Sequence, residues 1–130
     1  MCIFCDIIAG KIPAKKVYED DEFFGFLDIS PLTIGHTLVV PKKHVENFWE
    51  LDDKTAADLF VRVKQVSAKL MKKLGAERVM LAVLGVDVPH VHIHLVPRYP
   101  GDGHGGAIDF KVKAKLSAEQ MDLIAKKISS

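Results

Sequence analysis

The chain has 130 residues and a mass of 14.4 kDa, a length typical of one domain that folds without disulfide bridges. Its 18 Lys and Arg residues nearly balance 17 Asp and Glu residues, and the formal net charge of +1 argues against a dedicated nucleic-acid-binding protein. A hydrophobic fraction of 48% excludes a disordered chain.

The sequence also argues against a membrane-spanning or secreted protein. The longest apolar run, residues 79–86, is far shorter than the roughly 20 residues that span a membrane. Charged residues precede any apolar signal segment, and two cysteines are too few for a disulfide scaffold. We therefore expect a single cytoplasmic domain over residues 1–130, with neither a nucleic acid nor a membrane as its partner.

The first third of the chain predicts one short helix and three short strands. Residues 4–9 can form one or two helical turns, with Gly10 at the stop position, where a positive φ is favoured. Residues 16–18 and 23–27 have the composition of short strands and flank a polar turn. Residues 36–40 are mostly β-branched and apolar, which predicts a third strand.

One long helix, two more strands and a terminal helix follow. Residues 53–74 carry apolar side chains at steps of three or four, which predicts a helix closed by Gly75. Its predicted apolar face consists of Ala57, Phe60, Val63, Val66, Leu70 and Leu74. Residues 78–84 form an apolar run and residues 91–96 alternate strictly, so both predict strands. A capping-box pattern at residues 117–120 opens the last helix.

These elements predict an α+β fold with a mostly antiparallel five-stranded sheet, one long helix and short terminal helices. Strand order does not follow from the pattern. The glycine-rich stretch at residues 100–106 predicts a mobile loop, in which His104 would be solvated.

Residues 90–95 alternate three imidazoles with three aliphatic side chains: His90, His92 and His94 against Val91, Ile93 and Leu95. In an extended strand the imidazoles would share one face at intervals of about 6.8 Å, and the aliphatics would face a core under the long helix. A merely solvated strand has no need of three imidazoles. Near neutral pH an imidazole can be a nucleophile, a proton donor or a metal ligand. The spacing alone allows a three-histidine metal site or nucleophilic catalysis.

This histidine segment, HVHIHLV at residues 90–96, resembles the signature of the histidine triad (HIT) family. Further blocks match that family in the same order along the chain: CIFC at residues 2–5, IPA at 12–14, FLDISP at 26–31 and GHTLVVPKKH at 35–44. The resemblance implies a HIT-like fold for the single domain.

The resemblance also implies a nucleotide hydrolase that cleaves a phosphoramidate or phosphoanhydride bond next to a nucleoside monophosphate, with a purine preferred. His92 would attack the α-phosphorus and form a nucleotidyl-histidine intermediate, His94 would contact the phosphate, and His36 would belong to the same site. Asp28 would bind the ribose hydroxyls, although an Asp before Ser-Pro can equally form a turn. The base pocket would be lined by Phe4, Ile7, Phe26 and Ile29, for which plain core packing is the alternative.

The loop before the triad departs from the family pattern. Residues 79–89 contain no Asn, and Val86 stands where family members usually have Gln. Gly85 still allows backbone amides to approach a phosphate, whereas Asp87 brings a negative charge towards an anionic ligand. A nucleotide-binding module with weak or no catalysis is therefore the alternative function.

Cys2 and Cys5 form a two-residue-gap thiol pair, which is the commonest half of a tetrahedral zinc site. Some HIT proteins complete such a site with two histidines that correspond to His44 and His90. The resemblance thus implies a structural zinc ion, with a reduced or redox-active thiol pair as the alternatives. It also implies a homodimer in which the long helix packs against its twin.

Overall fold

The computed structural model describes residues 2–130 and forms one five-stranded sheet with three helices. The elements in chain order are α1 (Ile3–Ile8), β1 (Lys16–Glu19), β2 (Phe23–Leu27), β3 (Thr37–Pro41), a 3₁₀ turn (Phe48–Glu50), α2 (Asp53–Leu74), β4 (Arg78–Val83), β5 (Ile93–Arg98) and α3 (Ala118–Ser129). The sheet order is β1-β2-β3-β5-β4, and every neighbouring pair is antiparallel. The predicted α+β class with an antiparallel sheet is confirmed.

One face of the sheet is covered by α2 and α3, and together they enclose the larger core. The aliphatic side chains of Val91, Ile93 and Leu95 are buried there, as the alternating pattern predicts. Their partners from the two helices are Leu59, Val63, Val66, Leu70, Met121 and Ile128. Because alternate side chains of this segment point to opposite faces, the imidazoles are directed away from these helices.

The opposite face carries a second, smaller core beneath α1. It contains Phe4 and Ile7 of the helix and the alternate side chains of two central strands: Phe24, Phe26, Leu38 and Val40. Strands β2 and β3 are therefore buried on both faces, which explains their nearly continuous apolar composition. The candidate site lies on this second face.

The core-facing stripe of α2 differs from the predicted one at its start. Leu59 is buried, whereas Phe60 is 47% exposed. The buried positions 59, 63, 66 and 70 follow the 3.6-residue period, and a neighbouring residue lies about 100° around the helix. Phe60 therefore points away from the core, and Ala57 is exposed as well.

The predicted bounds of β1, β3, β4 and β5 each differ from the observed ones by one or two residues, and the differences at β4 and β5 have structural causes. Strand β5 begins at Ile93, because the preceding segment leaves the sheet and Val91 N–H donates to the carbonyl of Val45. Strand β4 ends at Val83, before Leu84, and its side chains are only partly covered because it is an edge strand. The spacing predicts that the three imidazoles share one regular strand, but in the structure only His94 lies within β5.

Hydrogen bonds anchor the glycine-rich loop to neighbouring segments. The Arg98 guanidinium donates to the Asp102 carboxylate and to the carbonyls of His104 and Gly105. His104 accepts a hydrogen bond from Asp109 N–H at Nδ1, so its Nε2–H donates to the carbonyl of Leu32. The ring predicted to be solvated is thus a link between two loops.

Among the residues that the structure describes, no helix combines the length and apolar character needed to cross a membrane.

The turn before β3 depends on Gly35. Its φ of +88° lies in the left-handed region, and a Cβ built there would overlap Leu74 Cδ1 at the end of α2. Because Leu74 Cδ1 ends a flexible side chain that can move aside, we expect Gly35→Ala to lower the free energy of unfolding by about 1–3 kcal/mol, mainly through backbone strain with a smaller packing cost. Urea denaturation measures the change.

Two matched glycines separate these contributions. Gly75 has a φ of +68° but open space around its Cα, so Gly75→Ala should cost only the strain, about 1 kcal/mol. Gly105 has open space and no left-handed φ, so Gly105→Ala should be nearly neutral. Equal losses for Gly35→Ala and Gly75→Ala would contradict the packing argument.

Candidate active site and metal site

A cavity of about 280 Å³ opens on the α1 face of the sheet. Its wall contains every residue that the resemblance assigns to catalysis or nucleotide binding: Phe4, Ile7, Phe26, Asp28, Ile29, His36, Gly85, Asp87, His92 and His94. The pairing of β3 with β5 brings His36, which directly precedes β3, close to His94 of β5.

The tautomer of His92 follows from its backbone contact. His92 Nδ1 lies 2.7 Å from the carbonyl oxygen of His90, and a carbonyl can only accept. Nδ1 therefore carries the proton, and Nε2 keeps its lone pair. The edge-to-face contact with Phe4, at 4.9 Å between ring centroids, holds the imidazole plane. This ring therefore offers Nε2, rather than Nδ1, to the cavity that it lines.

A chain of hydrogen bonds sets the tautomers of the other two rings. Leu32 N–H donates to His36 Nδ1 at 3.0 Å, so the proton of His36 is on Nε2. That Nε2–H donates to His94 Nδ1 at 2.9 Å, which leaves the proton of His94 on its own Nε2. His94 thus offers an N–H donor. Burial lowers the pKa of both His36 and His94 to about 4, so both rings are neutral near pH 7.

Asp28 both stabilises its own loop by hydrogen bonds and lines the cavity. Its Oδ1 accepts from Ser30 N–H, the turn contact that the sequence allowed. Its backbone N–H donates to the carbonyl of His36, which ties the two ends of this loop together. Its Oδ2 lies 3.7 Å from His36 Nε2, too far for a hydrogen bond, and this oxygen remains available to accept from a ligand.

The sequence analysis missed the contribution of the segment after β5. Phe110 and Lys113 both line the cavity, and the Phe110 ring meets His94 edge-on at 5.6 Å between centroids. This segment is irregular, so no hydrophobic period indicates which of its side chains face the site. The other residues missed are Ile3, Leu38, Leu84 and Val88.

A separate cluster joins the N-terminus of α1 to the segment before β5. The donor atoms Cys2 Sγ, Cys5 Sγ, His44 Nδ1 and His90 Nδ1 lie 3.0–3.6 Å from one another. A tetrahedral zinc ion with two thiolates and two imidazoles has ligand–ligand separations of about 3.3–3.8 Å, so the cluster is close to that shape. His90 Nε2–H donates to the carbonyl of Pro41 at 2.8 Å, which leaves Nδ1 free to bind a metal.

The structure does not gather His90, His92 and His94 around one point. The His90 ring belongs to the cysteine cluster, and Phe4 packs edge-on against both His90 and His92. The triad thus divides between two sites: His90 belongs to the cluster with the donor set of a metal centre, and His92 and His94 line the cavity. A three-histidine metal site, which the spacing had allowed, does not form.

Comparisons with known proteins agree with this architecture. The HIT domain family model matches residues 9–101 of the chain. An uncharacterized HIT-like protein of Methanocaldococcus jannaschii is 50% identical over 108 residues, which cover 79% of this chain and 83% of that protein. The adenosine 5'-monophosphoramidase of Schizosaccharomyces pombe is 34% identical over 134 residues, covering 99% of this chain and 95% of the relative.

A solved structure with the same fold is a Zn-bound histidine triad family protein from Mycobacterium smegmatis. It superposes with a TM-score of 0.82 at 30% identity, covering 98% of this chain and 90% of the other. The ordered motifs, the fold and these relatives together show that the chain belongs to the histidine triad (HIT) family.

Proposed function

We propose that this protein is a nucleotide hydrolase that cleaves a phosphoramidate or phosphoanhydride bond next to a purine nucleoside monophosphate, with His92 as the nucleophile. The observation that carries the proposal is the contact of His92 Nδ1 with the His90 carbonyl, which leaves the Nε2 lone pair at a cavity. The similarity to an adenosine 5'-monophosphoramidase supports this reaction class.

In the first step, His92 Nε2 forms a bond to the α-phosphorus while the bond from phosphorus to the leaving group breaks. The bond electrons depart with the leaving group, which takes up a proton from solvent, and the proton that water loses in the second step returns to solvent. The positive charge that develops on the ring is stabilised by the His90 carbonyl at Nδ1–H. His94 donates its Nε2–H to a phosphate oxygen, because His36 occupies its Nδ1. Water then attacks the same phosphorus, releases the nucleoside monophosphate and restores the His92 lone pair.

The remaining walls of the cavity suit a nucleoside. Phe4 and Phe26, with ring centroids 5.5 Å apart, form an apolar corner with Ile7 for the base. Ile29 is 87% exposed although it lines the cavity, and a bound base would cover this apolar side chain. Asp28 Oδ2 accepts from the ribose hydroxyls. The backbone at Gly85 and Asp87 approaches the phosphate.

We also propose that Cys2, Cys5, His44 and His90 bind a structural zinc ion. The donor set is the one zinc prefers, and the four atoms are already near tetrahedral separations. Bound zinc would fix the cysteines to the segment that carries His92 and would take no part in the reaction. Thiolate ligands require reduced cysteines, so the proposal includes a reducing compartment such as the cytoplasm.

A homodimer is the third part of the proposal. Strand β4 is at the edge of the sheet and exposes Leu81, and the neighbouring α2 exposes Phe60, Val61 and Met71. An apolar edge strand beside an apolar helix face is unfavourable in water. A second copy of the chain covers both through the same patch about a two-fold axis.

A nucleotide-binding module without efficient turnover is the second candidate function. Asp87 lines the cavity, and its negative charge acts on His94, so it opposes the binding of an anionic phosphate. Weak phosphate binding with retained base and ribose binding is what this arrangement favours.

Removing the nucleophile separates the two functions. We expect His92→Ala to lower kcat/KM for adenosine 5'-phosphoramidate by roughly 10³-fold or more, while AMP binding persists. Rapid quenching of the wild-type protein should yield a species heavier by one adenylyl group, and His92→Ala should not form it. Full turnover in His92→Ala would refute the assignment. AMP binding without turnover in the wild-type protein would favour the binding module.

Metal analysis tests the zinc site. We expect close to one zinc per chain in the wild-type protein, and loss of most of it in Cys5→Ala together with a lower melting temperature. His92→Ala is the matched control and should retain its zinc, since that ring is outside the cluster. Zinc retained in Cys5→Ala, or lost in His92→Ala, would contradict the assigned ligands.

Light scattering tests the homodimer. The wild-type protein should have twice the 14.4 kDa mass of the chain, and Leu81→Lys should shift it towards the monomer, because a charge on the edge strand opposes pairing. Leu123→Lys is the control, since Leu123 is 66% exposed on α3, away from this patch. A monomeric wild-type protein would contradict the proposed homodimer.

A further inference from the structure

The segment between the glycine-rich loop and α3 forms a wall of the active-site cavity, although it has no regular secondary structure. It is attached at two points to the loop that carries Asp28 and His36. Ala114 N–H donates to the carbonyl of Pro31 at 2.8 Å. Asp109 N–H donates to His104, which in turn donates to the carbonyl of Leu32. Between these anchors, Phe110 and Lys113 line the cavity, and the Lys113 side chain is also exposed to solvent.

The charges that face the cavity are unbalanced for an anionic ligand. Asp28 and Asp87 contribute two carboxylates, and Lys113 is the one Lys or Arg among the described residues that line it. The imidazoles of His36 and His94 add no charge near pH 7, because burial holds the pKa of each at about 4. Without Lys113, a phosphate would enter between two like charges and meet no fixed cation.

Resting on the proposed function, we infer that Lys113 binds the phosphate of the nucleotide. It lies between the anchored Phe110, which packs on His94, and Ala114, which is tied to the loop of Asp28. Burial is the largest cause of the lowered pKa of His36 and His94, and the Lys113 charge is a smaller one. The Lys113 charge therefore acts where the phosphate would sit. Lys113 would supply the positive charge that the loop at residues 84–88 does not contain.

This role predicts an affinity that depends on phosphate charge. Calorimetric titrations with AMP and with adenosine, at one low ionic strength, measure it in the wild-type protein, Lys113→Gln and Lys113→Arg. We expect Lys113→Gln to weaken AMP binding roughly three- to tenfold and to leave adenosine binding unchanged. Lys113→Arg should retain AMP binding, because it keeps the charge.

Lys115→Gln is the matched control. Lys115 is exposed on the same segment and lies outside the cavity lining, so its loss removes an equal charge without removing a ligand contact. An equal loss of AMP affinity in both glutamine variants would show a long-range field and overturn the inference. Equal weakening of AMP and adenosine in Lys113→Gln would show a purely structural wall and would overturn it too.

These titrations require no turnover, so the two proposals fail separately. If AMP binding depends on Lys113 but the wild-type protein does not hydrolyse the phosphoramidate, only the hydrolase is refuted. If His92-dependent turnover is present and the AMP affinity of Lys113→Gln is unchanged, only the role of Lys113 is refuted. If neither AMP nor adenosine binds the wild-type protein, both are refuted.

Discussion

The hydrogen bond from His92 Nδ1 to the carbonyl of His90 is the contact on which the proposed chemistry of this site depends. It selects the tautomer of His92 and therefore determines which nitrogen keeps a lone pair. The carbonyl is itself well fixed, because the His90 N–H donates to Val88 and its ring donates to Pro41. The same ring contributes Nδ1 to the cysteine cluster. Two sites that share no ligand atom are thus joined by one residue.

The fold provides this arrangement through a simple alternation. Val91, Ile93 and Leu95 are buried under α2 and α3, which forces the intervening histidines onto the other face. On that face His94 lies between Leu38 of β3 and Ala82 of β4 in the sheet register. The apolar core therefore orients the imidazole of His94. The free energy gained by burying the aliphatic side chains offsets the cost of burying the polar histidine side chains.

Sequence pattern accounts for most of the architecture because its strongest signals are local. The bounds of α2, its closure by Gly75 and the capping box of α3 all follow from residues within a few positions of one another. The alternation in residues 91–95 likewise predicts which side chains enter the core. The family resemblance, rather than the spacing alone, predicts the four residues of the cysteine–histidine cluster.

What the sequence could not predict depends on contacts between distant segments. Phe60 was assigned to the core because it fits the step pattern as well as its neighbour Leu59 does, and only packing against the sheet decides between them. The glycine-rich loop accepts hydrogen bonds at its carbonyls from Arg98, which lies outside the loop and which composition alone does not connect to it. Phe110 and Lys113 reach the cavity through backbone bonds of an irregular segment, for which sequence provides no period.

The charges that line the cavity make the irregular segment after β5 important for binding a phosphate. The proposed reaction at phosphorus requires an anion to approach the site, yet the buried His36–His94 pair is kept neutral and two carboxylates line the wall. Neutral rings are well suited to attack and to hydrogen-bond donation, but they contribute no charge to draw the substrate in. In this chain the loop before the triad carries Asp87 as well. The attraction must then come from the backbone amides near Gly85 or from the segment after β5. Since the second of these lies outside the triad segment, substitutions in it can change the affinity for phosphate without altering the proposed nucleophile.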